Sequence, residues 1–282
     1  MKTYLECIPC FLRQALDAAK LAGTDKVTQK KVLDEVSRRL PGFSLDVTPP
    51  EIARTVYGIV EDYTGGKDAY KKVKQKSNEM ALDLYPVLKK QIDGASDVLL
   101  SAVRLAVAGN VIDYGVPHSF DIEEEIEECL EKEFAVFDFE QFREAVKGAR
   151  NVLYILDNAG EIVFDKILVE ELEQDVVCAV RGRPIINDVT MEDALEVGLD
   201  KVANVISSGS DIPGTVPSIC EEEFLDYYNK ADLIISKGQG NFETLADEAK
   251  PIFFIFKAKC PVVANHIGCS VGDIILKKQD VM

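Results

Sequence analysis

Between residues 157 and 260 the sequence places hard-oxygen and cationic side chains in a series of short, polar, glycine-bearing turns. Asp157-Asn158-Ala159-Gly160-Glu161 comes first, then Asn187-Asp188-Val189-Thr190, then Ser236-Lys237-Gly238-Gln239-Gly240-Asn241-Phe242-Glu243, then Lys257-Ala258-Lys259-Cys260. Asp157, Asp188 and Asn158 offer two carboxylates and an amide oxygen, a set suited to Mg²⁺, Mn²⁺ or a similar divalent ion with open water positions. Lys237, Lys257 or Lys259 can balance a phosphate, and the glycines at 238 and 240 let backbone N–H groups approach its oxygens at a helix N-terminus. Phosphoryl transfer needs such an assembly, because its transition state spreads charge over oxygens and is stabilised by positioning and electrostatics. The first half adds one polar turn, Gly109-Asn110-Val111-Ile112-Asp113-Tyr114-Gly115. Asn110 and Asp113 there either face a cleft between the two halves or belong to a helix C-cap and a turn.

These turns need a scaffold that brings them together. Each follows a short apolar run, at 152–156, 176–180, 202–206, 232–235 and 252–256, and helical patterns fill the gaps between them. Strands alternating with helices predict a parallel sheet whose carboxyl-end crevice gathers the turns. The tail at 271–276 is expected to add an edge element. Before residue 149 the pattern is helical: apolar spacing over 11–23, 27–40 and 51–63, a lysine-rich segment from 68 that must kink or restart past Pro86, and an apolar stretch over 95–108. Thr48-Pro49-Pro50-Glu51 and Thr190 with Asp193 carry capping-box spacing, as do Asp121 with Glu124 and Asp138 with Gln141. The expected architecture is α/β, with a helical N-terminal part (1–148) packed on a Rossmann-like three-layer αβα domain with a mostly parallel sheet (149–282).

Composition narrows the function. With 32 basic and 49 acidic residues among 282, the net charge of −17 repels nucleic-acid phosphates and anionic membranes. No stretch is apolar enough to span a bilayer, and the first residues lack the apolar core of a signal peptide, so the expected place is the cytoplasm. Seven cysteines in such a chain are expected as thiols or metal ligands rather than disulfides. Cys7-Ile8-Pro9-Cys10 has the spacing of half a thiolate metal site or of a redox pair, which Cys260 and Cys269 could complete. No phosphate-binding G-x-x-x-x-G-K-[ST] and no strand leading into G-x-G-x-x-G occurs. With only His118 and His266, a Ser-His-Asp mechanism is poorly supplied.

Taken in order, Cys7-x-x-Cys10, Gly109-Asn110-x-Ile112-Asp113, Asp157-Asn158-Ala159-Gly160-Glu161, Asn187-Asp188-Val189-Thr190, Ser236-Lys237-Gly238-x-Gly240-Asn241-x-Glu243 and Lys257-x-Lys259-Cys260 resemble the damage-control phosphatase family. The likeness is to its small prokaryotic, cysteine-bearing branch and covers nearly the whole chain. The resemblance implies a metal-dependent phosphatase that clears damaged or surplus phosphorylated metabolites, sugar phosphates or nucleotide-related compounds. It places the metal ligands on Asp157, Asn158 and Asp188, and the ion is expected to be Mn²⁺, Ni²⁺, Co²⁺ or Mg²⁺. It places a phosphate-contacting lysine on Lys257, with Lys259 as the alternative, because Ile255-Phe256-Lys257-Ala258-Lys259 departs from the Arg-Thr-x-Lys pattern of larger relatives. Asn241 and Glu243 match positions near the substrate. Asp113 or Glu161 is the candidate general base, with a covalent phosphate on Asp157 as another route. The partner expected is a small phosphorylated metabolite, and a homo-oligomer stays open. An S-adenosylmethionine-dependent carboxyl methyltransferase and a non-catalytic metabolite-binding module are the competing readings.

Overall fold

Apolar strands that alternate between two covered faces dictate the centre of the molecule. The computed structural model describes residues 1–66, 68–109, 128 and 130–279. Its sheet has seven strands: β1 (Phe134–Phe137), β2 (Asn151–Ile155), β3 (Asp175–Val180), β4 (Asn204–Ser207), β5 (Leu233–Lys237), β6 (Ile252–Lys257) and β7 (Ile274–Lys278). Their order is β1-β7-β6-β5-β2-β3-β4. The five strands from β6 to β4 run parallel, and β7 is antiparallel to β6 and parallel to β1. Successive residues of a strand point to opposite faces, so both faces must be covered. Tyr154, Cys178, Ile235 and Phe253 pack on one side with Ile162, Phe164, Leu105 and Phe142. Leu153, Ile155, Ile234 and Phe254 pack on the other with Phe224, Phe242, Leu245 and Val263. This is the expected three-layer αβα arrangement.

The helices of the first half are α1 (Cys7–Leu21), α2 (Lys26–Arg39), α3 (Pro49–Thr64), α4 (Lys71–Asp93), α5 (Val98–Ala108) and α6 (Phe139–Gly148). Those of the second half are α7 (Glu161–Glu170), α8 (Met191–Glu196), α9 (Glu222–Lys230), α10 (Gln239–Leu245) and α11 (Pro261–Ile267). The first three form their own apolar cluster around Phe11, Val32, Val36, Ile52 and Val56, joined by Ile185 from the second half. α4 and α5 lie on the sheet core itself.

The capping boxes at Thr48/Glu51 and Thr190/Asp193 are both formed. Three expectations need correction. The half read as helical supplies a strand, β1, whose four residues Phe-Ala-Val-Phe are too short for periodicity to separate strand from helix. The C-terminal strand is not an edge, because it inserts between β6 and β1. The lysine-rich helix does not restart past Pro86: α4 is a single element from Lys71 to Asp93 with the proline inside it, packing of Ala81, Leu88 and Ile92 on the core holding the helix across the missing N–H. Among the described residues no helix is long and apolar enough to cross a membrane.

Candidate active site

Chain order runs outward from β2 through β3 to β4 on one side, then returns to β5 and β6 on the other. The crevice therefore opens where β2 and β5 lie side by side, at the carboxyl ends where the strand order reverses. Asp157 leaves β2 there and Gly238 leaves β5. Gly238 sits at φ +81°, and a Cβ on it would overlap the Asp157 carboxylate. Only glycine lets the two loops approach this closely.

The 157–161 and 185–190 turns are laced together by main-chain bonds. Ala159 N–H donates to Asn187 O (2.9 Å), and Val189 N–H donates to Asp157 O (2.8 Å). Asn158 and Asp188 form an isolated antiparallel bridge. Ile186, at φ +46°, takes a left-handed conformation that a β-branched residue rarely adopts, one residue from Asn187. The helical half fastens the same turns from behind: Gly160 N–H donates to Asn78 Oδ1 (2.7 Å), and Lys74 Nζ to Asp193 Oδ2 (2.7 Å) in the cap beside Asp188.

Asp157, Asn158 and Asp188 are all buried side by side. Asp157 is pushed well above the usual carboxylate range by burial, then by the negative charges of Asp188 and Glu161. Burial also raises Asp188, opposed by Arg181. Arg181 is 2% exposed and held on three sides: Nε donates to Asp188 Oδ2 (2.6 Å) and the terminal nitrogens to Thr215 Oγ1 and Asn241 Oδ1 (3.1 Å each), with Asp157 Oδ1 at 3.8 Å. Beneath lies a second charged group. Lys237 Nζ contacts Ala106 O (2.9 Å), Glu161 Oε1 (2.5 Å) and Asp165 Oδ1 (2.6 Å), while Tyr154 OH donates to Asp165 (2.8 Å). Four buried carboxylates, Asp157, Asp188, Glu161 and Asp165, thus face two buried cations, Arg181 and Lys237, a deficit of two charges when all are ionised. The donors that could hold a hard divalent ion are the two carboxylates Asp157 and Asp188 with the Asn158 amide oxygen. Among the described residues no three His, Cys, Asp or Glu side chains form a metal-holding group by themselves, which applies equally to Cys7, Cys10, Cys260 and Cys269.

A cavity of about 670 Å³ opens onto Asp157, Asn158 and Asp188. Its other walls come from α1 and α3, with Cys10, Phe11, Arg13, Pro49, Pro50 and Tyr57, and from Gln239, Glu243, Lys259 and Cys260. Glu243 is pushed up to about 7 by burial, partly offset by the bond from Gln239.

Of the residues picked from sequence, Asp157, Asn158, Asp188, Glu243 and Lys259 meet on this cavity. Lys237 does not: it is fully buried with its three N–H donors committed, so a phosphate cannot reach it. Glu161, 1% exposed, lies behind Asn158 on that lysine rather than at the cavity. Asn241 is also fully buried, donating to Leu156 O and Lys237 O while its oxygen steadies Arg181. Lys257 does not line the cavity, whereas Lys259 does. Asn110 and Asp113 lie outside the described residues. Arg181 was missed, although its place immediately after β3 put it among the strand-end groups; Cys7, Cys10 and Cys260, singled out in sequence as a thiol pair and its complement, line the same cavity, whereas nothing in the sequence pointed to Phe11, Arg13 or the α3 side chains.

The sequence model of the damage-control phosphatase ARMT1-like domain matches residues 3–275. A damage-control phosphatase of Pyrococcus horikoshii is 36% identical over 282 residues, covering 98% of this chain and 97% of that protein. One from Archaeoglobus fulgidus is 34% identical over 287 residues, covering 98% and 99%. The crystal structure of a DUF89 family protein from Pyrococcus horikoshii superposes with a TM-score of 0.92 at 36% identity, covering 99% of this chain and 100% of that one.

Proposed function

The chain belongs to the damage-control phosphatase ARMT1-like domain family, and on that premise we propose that it hydrolyses phosphomonoesters of small metabolites at the Asp157–Asp188 cavity with a divalent ion held there. The observation that carries the metal is the buried charge deficit: four carboxylates against two cations. Unpaired charges in a desolvated interior are costly: burial and the charges of Asp188 and Glu161 push the Asp157 carboxyl up, and a divalent cation held there would offset that repulsion. Asp157, Asp188 and the Asn158 amide oxygen would hold the ion. When bound, such an ion supplies charge neutralisation at a phosphate oxygen and acidifies the attacking water.

The chain's own groups do the remaining work. Arg181, locked by Asp188, Thr215 and Asn241, keeps Asp188 oriented and favours its ionised form against burial. Lys259 on the cavity wall attracts the phosphate as a point charge. Glu243, with its carboxyl poised near 7 and steered by Gln239 Nε2 (2.9 Å), can exchange a proton at neutral pH. The apolar wall of Phe11, Pro49, Pro50, Ala53 and Tyr57 gives a leaving group much larger than phosphate somewhere to lie.

The test is hydrolysis of an aryl phosphate by metal-stripped protein supplied with Mg²⁺, Mn²⁺, Co²⁺, Ni²⁺ or none, beside Asp188→Asn. Metal-dependent turnover is expected, falling about 100-fold or more in the variant. Turnover with no ion added, or equal turnover in Asp188→Asn, would overturn the reading.

A further inference from the structure

Asn158 is held by acceptors on one side. Its Nδ2 lies 2.7 Å from Asp157 Oδ2 and 3.3 Å from Glu161 Oε2. Both neighbours are carboxylate oxygens, so the amino end of the amide must occupy that place, which turns the carbonyl end away. Of the two anchors, Asp157 is on the cavity, and a bound cation would draw on the same oxygens that hold the amide. Glu161 sits behind, fully buried, with its other oxygen clamped by Lys237. Lys237 has three N–H bonds to give, and Ala106 O, Glu161 and Asp165 take them, so the clamp joins β5, α5 and α7.

We propose that Glu161, locked by Lys237, is a positioning residue that fixes the amide of Asn158 with Oδ1 presented to the cation and Nδ2 turned inward. The inference rests on the metal reading given under the proposed function. Outer-layer partners of this kind orient a ligand and tune affinity without touching the ion. It also gives Lys237 and Glu161 a shared role distinct from phosphate contact and from proton abstraction.

Glu161→Gln tests the donor pattern at constant shape. The substituted side chain must keep its carbonyl on Lys237, so its NH₂ faces Asn158 Nδ2 and the inner anchor becomes a repulsion; once a cation draws on Asp157, the Asn158 amide is left free to turn and withdraw Oδ1 from the cavity. Mn²⁺ affinity, measured by calorimetry on metal-stripped protein, is expected to fall about tenfold or more. Adding Asn158→Asp to Glu161→Gln restores an acceptor towards residue 161 and an oxygen towards the cavity, with net charge as in the unaltered protein. The double variant is expected to regain most of the affinity. Wild-type affinity in Glu161→Gln, or equal weakness of single and double variants when both melt normally without metal, would overturn the inference. Absence of Mn²⁺ binding by the unaltered protein would instead overturn the metal reading. Should the variants not fold, a Mn²⁺-soaked crystal of the unaltered protein decides: an ion on Asn158 Oδ1 supports the inference, and an ion without Asn158 refutes it.

Discussion

Replacing Gly238 by alanine should disable the site through Asp157. The position takes φ +81° with ψ 158°, a region that L side chains essentially avoid, at a cost of about 1–3 kcal/mol. The added Cβ would overlap the Asp157 carboxylate, and even the farther oxygen, Oδ1, would be 2.7 Å away. The nearer oxygen, Oδ2, would be 2.0 Å away and ordinary contact needs roughly 3.5 Å, so the carboxylate has to retreat by about 1.5 Å. It has little room, because Gly238 N–H is tied to Ile255 O and the Asp157 main chain to Val189 N–H. A displacement of about 1 Å in a reacting constellation can cost on the order of 100-fold in rate. Gly238→Ala is therefore expected to lose about 1–3 kcal/mol in urea unfolding and about 100-fold in aryl phosphate turnover. Full activity with an unchanged unfolding midpoint would refute the close approach of the β2 and β5 loops on which the site is built.

Two further outcomes follow from buried charge. Glu243 titrates at about 7 folded against an ordinary value near 4.5, so the native state holds its proton more tightly than the unfolded chain. The resulting stability is full below about pH 4.5 and is lost as pH rises through about 7, some 3 kcal/mol at most. Glu243→Gln should flatten that part of the stability profile and raise the unfolding midpoint at about pH 8, and an unchanged slope between about pH 4.5 and 8 would count against the burial argument. Arg181→Met removes a guanidinium that is 2.6 Å from Asp188 and 3.8 Å from Asp157, leaving two buried carboxylates uncompensated, at about 3–5 kcal/mol. Its melting temperature should fall sharply without metal and recover in part with saturating Mn²⁺, a pattern that a purely steric role for Arg181 would not give.

The sequence by itself determined the strands β2 to β6, the turns that end them and the residue types in those turns. Asp157, Asn158 and Asp188 were legible because a parallel sheet must place its strand-end loops in one crevice, whatever the strand order. The capping boxes at Thr48 and Thr190 were legible because they are local, satisfied within four residues. What needed tertiary structure was every choice between chemically equal candidates. Lys237, Lys257 and Lys259 are alike in sequence, yet burial commits the first to Glu161 and Asp165, keeps the second off the cavity and leaves the third on its wall. Glu161 looks like a base until its oxygens are found on Lys237 and towards Asn158. β1 and the insertion of β7 were invisible because β1 pairs with a segment more than a hundred residues further along the chain, and no local pattern records such a contact. The apolar walls of the cavity were invisible for the same reason: Phe11, Pro49, Pro50 and Tyr57 reach the carboxylates only through packing, and packing is set by the whole fold rather than by any stretch of it.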